Sequence, residues 1–316
     1  MESIDNIFYI ECMTSLRYAI PFIKTVKLLL SKDVLLIYND SVNFHKYNSI
    51  KRHHEKLTKI CKDNQISSTS VSDFKNKKIK VRNVFCVENT CKVIDYENYY
   101  SFQHGFDWIG LHKDNKAATY IVTEQYFKNA IEDLGLRAIV SPKPVAFWDW
   151  NYHVEKSKSQ SLNLETKTVT MFYPEEGSKD LFKKIHEKLL NLGYKIYIKQ
   201  RKKNQLVPDE FSNIFYDDLW YPTESIFLPL ISDFSVGFGT SAYTDLIHLN
   251  RNFIDLCIPD YSKKYYKPQV SNLISITNEF YENFCKLNFN EITLSEKLVD
   301  PCDPQKIKDF LLQVII

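Results

Sequence analysis

The sequence predicts an α/β protein built from two Rossmann-like lobes. Three observations predict it. From residue 6 to 150, short apolar β-rich runs alternate with stretches of helical apolar spacing. The alternation stops in the polar, serine-rich stretch 151–166, "NYHVEKSKSQSLNLET", and it restarts at residue 167. Such alternation signals βαβ units and parallel sheet, and a polar stretch without periodicity reads as a linker. The expected division is an N-terminal lobe 1–150, a linker 151–166, a C-terminal lobe 167–300 and a closing helix 301–316.

The elements follow in order. "NIFYIEC" (6–12) is a strand, and residues 14–31 carry Leu16, Ala19, Ile20, Ile23, Val26, Leu29 and Leu30 at helical spacing after a Thr/Ser start. "VLLIYN" (34–39) is a second strand and "NSIKRHHEKLTKICKD" a more solvated helix. "IKVRNVFCVE", "NYYSF", "ATYIVT" (118–123) and "RAIVS" (137–141) are further strands, with a helix over 124–134. In the second half, strands are expected at 168–173, 194–199, 213–217, 233–239 and 253–258. Helices are expected at 178–192, from Pro222, at 240–249, near 271–286 and at 304–315.

Composition bounds the function. With 44% apolar and 14% aromatic residues the chain affords sizeable cores. Lys+Arg 41 against Asp+Glu 39 gives a net charge of +2, which argues against a nucleic-acid binder. The seven cysteines are scattered without CxxC or zinc-finger spacing, so free thiols in a reducing compartment are expected, and no metal. The start "MESIDNIFYIECM" lacks the features of a signal peptide, and no stretch reaches the ~18 apolar residues of a membrane span. The expected location is the cytoplasm, with peripheral contact to the inner membrane face left open.

Glycine is scarce: seven residues, about 2% against a usual ~7%. Four fall in two places, Gly105 with Gly110 and Gly237 with Gly239, and these direct the search for a site.

In the first, "YYSFQHGFDW", a strand ends at Gln103-His104-Gly105 and Asp107 follows. A histidine at the carboxyl edge of a sheet can take a proton from an attacking hydroxyl near neutral pH. Gly105 permits a sharp turn, and Asp107 could orient the imidazole or bind an acceptor hydroxyl. A histidine satisfying a loop carbonyl is the plainer alternative. In the second, "SDFSVGFGTSAYTD", a strand runs into Gly237-Phe238-Gly239-Thr240-Ser241 and then a helix, with Asp245 one turn along. A helix start suits a phosphate, and Thr240 and Ser241 add hydroxyl donors; simple helix capping is the alternative. Lys199 and Arg201 in "KQRKKNQ", and Lys143 between two prolines in "VSPKPVAFWDW", are further candidate phosphate contacts. Trp148 and Trp150 read as packing residues.

The order of these features resembles a GT-B-type glycosyltransferase, and more narrowly the CDP-glycerol glycerophosphotransferase group that builds teichoic-acid and capsule polymers. The likeness covers roughly residues 95–260. The family's Trp-His-Gly-Thr-Pro corresponds to Gln103–Asp107. Its Gly-x-Pro-Arg-x-Asp turn corresponds to the stretch with Lys143-Pro144 and Asp149. Its Ser-Asp, Thr-Asp-Tyr-Ser-Ser and Asp correspond, at the same spacing, to Ser232-Asp233, Gly237–Ser241 and Asp245. The resemblance implies a general-base role for His104 and donor-phosphate contacts at Thr240 and Ser241. Phe238 stands where the family has Asp, and Arg201 where it has a second histidine. The Gly-Phe-Gly-Thr-Ser loop is also similar to the Gly-Ser-Thr loop of capsule Kdo transferases, which use CMP-Kdo.

The expected function is transfer of a sugar or polyol phosphate from a CDP-, CMP- or UDP-linked donor to a glycan or lipid-linked acceptor of the bacterial surface. His104 is the expected base, and neither a metal nor another cofactor is required. A CMP-Kdo or other CMP- or UDP-sugar glycosyltransferase, a sugar-nucleotide epimerase of the same two-lobe fold and a non-catalytic glycan-binding or assembly protein are the alternatives.

Overall fold

The computed structural model describes residues 3–40, 49–75, 79–87, 91, 94–103, 118–149, 167–174, 178–200, 211–217, 223–238, 240, 242, 245, 246, 249, 251–256, 273–276, 279–292 and 303–316. The chain divides into two compact units. Unit 1 is Met1–Trp150 with Leu219–Tyr221 and Pro301–Ile316, and unit 2 is Asn151–Asp218 with Pro222–Asp300. The expected linker 151–166 lies outside the described residues.

Unit 1 holds a seven-stranded sheet, β1 (Ser3–Ile10), β2 (Leu35–Tyr38), β3 (Ser68–Ser70), β4 (Lys80–Val87), β5 (Tyr96–Phe102), β6 (Thr119–Val122) and β7 (Arg137–Val140). Its spatial order is β3-β2-β1-β4-β5-β6-β7, with every pairing parallel. Parallel sheets are covered on both faces, so their strands are apolar on both sides. Along β1, Phe8 and Ile10 enter one core and Ile7 and Tyr9 the other. The first core is covered by α1 (Leu16–Leu30) and α2 (His54–Asp63), the second by α3 (Val71–Lys75) and α4 (Gln125–Glu132).

The last helix, α8 (Pro304–Ile315), belongs to this unit. Asp303 caps it by accepting the Gln305 N–H at 2.9 Å. Ile307, Phe310, Leu311, Val314 and Ile315 complete the α1 side of the core, where Trp148 meets Phe310 with ring centroids 5.8 Å apart and Phe22 at 6.1 Å. At its far end the Ile315 carbonyl accepts from Asn83 Nδ2 at 3.3 Å. Asn83 also donates to Asn6 Oδ1 (2.9 Å) and accepts from Asn98 (3.0 Å), a row of asparagines across β1, β4 and β5.

Unit 2 holds β8 (Thr168–Phe172), β9 (Lys195–Gln200), β10 (Ile214–Tyr216), β11 (Phe234–Gly237), β12 (Phe253–Leu256) and β13 (Leu273–Ile276). The order is β10-β9-β8-β11-β12-β13, again all parallel. α5 (Lys179–Asn191) and α7 (Phe280–Cys285) flank the core formed by Val169, Met171, Phe182, Ile198, Val236 and Phe284. α6 (Thr223–Leu230) lies on the other face, with Phe227 and Leu228 against Tyr197. The fold is thus α/β with two Rossmann-like units, as the sequence predicts. The stretch 271–286, expected as a helix, splits into strand β13 and the short α7. The β-branched Ile274 and Ile276 pair with β12, and that pairing prevails over apolar spacing that also fits a helix.

Candidate functional site

Both sheets reverse strand order once. In unit 2 the reversal lies between β8 and β11, in unit 1 between β1 and β4. Open α/β sheets take their ligands at such a point, beyond the carboxyl ends of the strands. The Gly237–Asp245 stretch leaves β11 at this place in unit 2.

The register there is specific. Gly237 pairs with Asp255, Val236 with Met171, and Phe172 with Lys199. A Cβ on Gly237 would fall 2.6 Å from Phe253 Cζ and 2.7 Å from Thr240 Cγ2, so no side chain fits without displacing an aromatic ring. That ring is held in turn by an edge contact to Phe172, centroids 6.3 Å apart. Thr240 folds back over the glycine, and its Oγ1 accepts the Ala242 N–H at 3.3 Å. Asp245 is buried, and its carbonyl accepts from Leu249 N at 3.0 Å, a helical turn. Thr240 thus follows the carboxyl end of β11 and makes a cap-type bond to the chain two residues on, the contact of the helix-capping alternative. Gly239 and Ser241 lie outside the described residues.

Lys199 makes different contacts from those expected of a phosphate ligand. It is 6% exposed, its Nζ lies 3.1 Å from Asp217 Oδ2, and it donates to the Gln200 carbonyl at 2.8 Å. Asp217 also caps α6, accepting from Glu224 N (2.8 Å), Ser225 N (3.0 Å) and Ser225 Oγ (2.6 Å). The carboxylate ties the helix start to β9, and the lysine neutralises it. A basic residue after a strand reads the same in sequence whether its partner is a ligand or an aspartate eighteen positions on. Arg201 lies outside the described residues.

In unit 1, Gln103 closes β5. Its N–H donates to the Ile121 carbonyl at 2.9 Å and its Oε1 accepts from Thr123 N at 3.3 Å, so this buried side chain joins the carboxyl ends of β5 and β6. His104, Gly105 and Asp107 follow immediately and lie outside the described residues. Lys143 sits beyond β7, in a turn closed by Ser141 Oγ donating to its carbonyl at 2.6 Å. Its charge acts on Glu124, whose carboxyl is raised above the ordinary value by burial and partly brought back by Lys143. Glu124 was not singled out in the sequence, although its place directly after β6 marks the same edge. Tyr9, Glu11 and Asn39 form a further unpredicted group at this edge. Tyr9 donates to Glu11 Oε1 at 3.0 Å and accepts from Asn39 Nδ2 at 2.9 Å.

Among the described residues no cluster of three or more His, Cys, Asp or Glu could hold a metal, and no helix is long and apolar enough to cross a membrane.

No family model and no curated protein matches the sequence. Solved structures do match in fold. S. aureus MnaA in complex with UDP aligns at a TM-score of 0.67 and 11% identity, over 98% of this chain and 95% of that one. The Methanocaldococcus jannaschii UDP-GlcNAc 2-epimerase in complex with UDP-GlcNAc and UDP aligns at 0.59 and 10%, over 100% and 99%. The wall teichoic acid polymerase TagF aligns at 0.57 and 12%, over 98% and 88%. The shared feature is the GT-B fold. The likeness does not single out the CDP-glycerol group.

Proposed function

We propose that the protein is a transferase that takes a sugar or polyol phosphate from a nucleotide-activated donor, with the nucleotide held by unit 2. The observation that carries this reading is the Gly237–Thr240 turn. It follows β11 at the strand-order reversal and is closed to any side chain at Gly237. Backbone N–H groups at such a turn suit a diphosphate. Thr240, Ser241 and Gly239 are the proposed phosphate contacts, and Asp245 the proposed contact to a sugar or ribose hydroxyl. Lys199 is left out of this set because Asp217 holds it; Arg201 and Lys143 remain proposed contacts.

His104, directly after β5, is the proposed general base for the acceptor hydroxyl, with Asp107 to orient it. The acceptor class that fits the sequence likeness is a surface glycan or its lipid-linked precursor. The UDP in two of the matched structures supports a nucleotide-linked donor for this chain, and the TagF match supports polymer chemistry.

The full-length match to UDP-GlcNAc 2-epimerase favours one second reading, an epimerase of a nucleotide sugar. Turnover separates the two. A transferase releases free nucleotide from its donor, whereas an epimerase converts UDP-GlcNAc to its 2-epimer with the nucleotide still attached. A thermal-shift panel of CMP, CDP and UDP finds the nucleotide. His104→Ala is then assayed with the corresponding donor, and turnover at the wild-type rate removes His104 from the mechanism.

A further inference from the structure

Unit 1 reverses its strand order between β1 and β4, and β1 ends there in a hydrogen-bonded chain of three side chains. Open α/β sheets take ligands at such a point, beyond the carboxyl ends of the strands. Glu11 is the residue after β1. Asn39 is the residue after β2, and its N–H donates to the Ile10 carbonyl at 3.0 Å, so both stand at the same edge.

Asn39 Nδ2 donates to the Tyr9 hydroxyl at 2.9 Å, and that hydroxyl donates to Glu11 Oε1 at 3.0 Å. Tyr9 is fully buried and Asn39 is 4% exposed, whereas Glu11 is half-buried. The donors therefore run one way, from the core to a carboxylate nearer the surface. Burying an amide and a phenol costs free energy unless each is hydrogen-bonded, and apolar residues of the same shape fill such space without that demand. What the chain adds is a carboxylate held in one place. Tyr9 stays a donor to it, because burial, and then Glu11 beside it, hold the phenol far above its ordinary 10.0.

A carboxylate offers about four lone-pair sites, and the Tyr9 bond takes one. Among the described residues Glu11 belongs to no cluster that could hold a metal ion. The groups that suit it are neutral donors. Two neighbouring hydroxyls, as on a sugar or polyol, can span both carboxylate oxygens.

We propose that Glu11 binds a hydroxyl pair of a sugar or polyol, with Tyr9 and Asn39 as the positioning residues that fix its carboxylate. Under the transferase reading this ligand is the acceptor, and its role as acceptor rests on that reading; its binding does not.

Glycine ethyl ester coupled by a carbodiimide labels accessible carboxylates. Peptide mass spectrometry reads the rate at Glu11, with the exposed Glu55 of α2 as the reference. The intact chain is labelled in N-acetylglucosamine, in glycerol, or in acetamide, which has no hydroxyl, at matched osmolality. At least one hydroxyl compound is expected to slow Glu11 severalfold and to leave Glu55 unchanged, with acetamide slowing neither. Slowing by the sugar alone identifies a ring diol, and slowing by glycerol an open polyol. In Tyr9→Phe, half protection should need severalfold more of the same compound. A Tyr9 that only packs would lower the urea midpoint and leave the half-protection concentration unchanged. Should that variant unfold, the wild-type rates decide alone.

A Glu11 that resists labelling in the free protein, equal Glu11 rates in the three solutions, parallel slowing of Glu55, or unchanged half protection in folded Tyr9→Phe would overturn the proposal. None of these readouts involves a nucleotide. A failure here therefore leaves nucleotide binding by unit 2 as it is, and a failure of nucleotide binding leaves the protection of Glu11 intact.

Discussion

Gly237 and Phe253 touch so closely that a single added carbon on the glycine would lie 2.6 Å from the ring. The contact fixes the exit of β11 at the point where unit 2 reverses its strand order. Gly237→Ala must displace the ring or the Thr240 side chain, and overpacking of this kind costs about 1–3 kcal/mol. Urea unfolding should show that loss, and nucleotide affinity should fall with it because Thr240 moves.

The Lys199–Asp217 pair gives a second prediction. Asp217→Ala strips the cap from α6 and leaves a buried ammonium, and breaking a buried pair costs about 3–5 kcal/mol. Lys199→Met should cost less, because Asp217 keeps two backbone N–H groups and Ser225 Oγ. Nucleotide affinity should survive in Lys199→Met. Loss of binding without loss of stability would place Lys199 on the donor instead.

The asparagine row predicts how α8 is held. Asn83→Ala takes the donor from Asn6 Oδ1 and from the Ile315 carbonyl, at about 1–3 kcal/mol for a buried group left unsatisfied, while the exposed Asn98 amide turns to water. Hydrogen exchange should rise first in α8, the element whose end loses its anchor.

Alkaline pH should unfold the protein through its buried tyrosines. Burial, with Cys86 beside it, pushes the Tyr99 phenol far above its ordinary 10.0, and burial pushes Tyr120 up to about 12. The unfolded chain loses these protons near pH 10, while the folded chain keeps them. Above that pH the folded state binds more protons than the unfolded one, so stability is complete below about pH 10 and falls as pH rises. Tyrosinate absorbance should therefore appear in step with loss of the circular-dichroism signal. Full ionisation of Tyr99 in a folded protein would contradict this.

Much of this fold could be read from apolar runs, because strands buried on both faces are continuous in hydrophobicity. β1, β8 and β12 are examples. β3 carried no such signal: Ser68–Ser70 is three short polar residues that become a strand only because β2 offers an edge. Strand order was not legible at all, since it depends on which edges pair across long separations. At the site, glycine scarcity pointed to Gly237, and the structure shows the packing that excludes a side chain there. The partners of Lys199 and Gln103 could not be read, because Asp217 and Thr123 reach them only through pairing of neighbouring strands. Thr14 and Ser15 looked like a helix cap, and the bonds that would make them one are absent.

The central claim is that unit 2 binds the nucleotide of a donor at the Gly237–Thr240 turn. Isothermal titration of the wild type and Gly237→Ala with UDP, CDP and CMP tests it most directly. The account predicts saturable binding of at least one nucleotide by the wild type and weakened binding by the variant. Absence of binding by all three, or equal affinity in the two proteins, would contradict it.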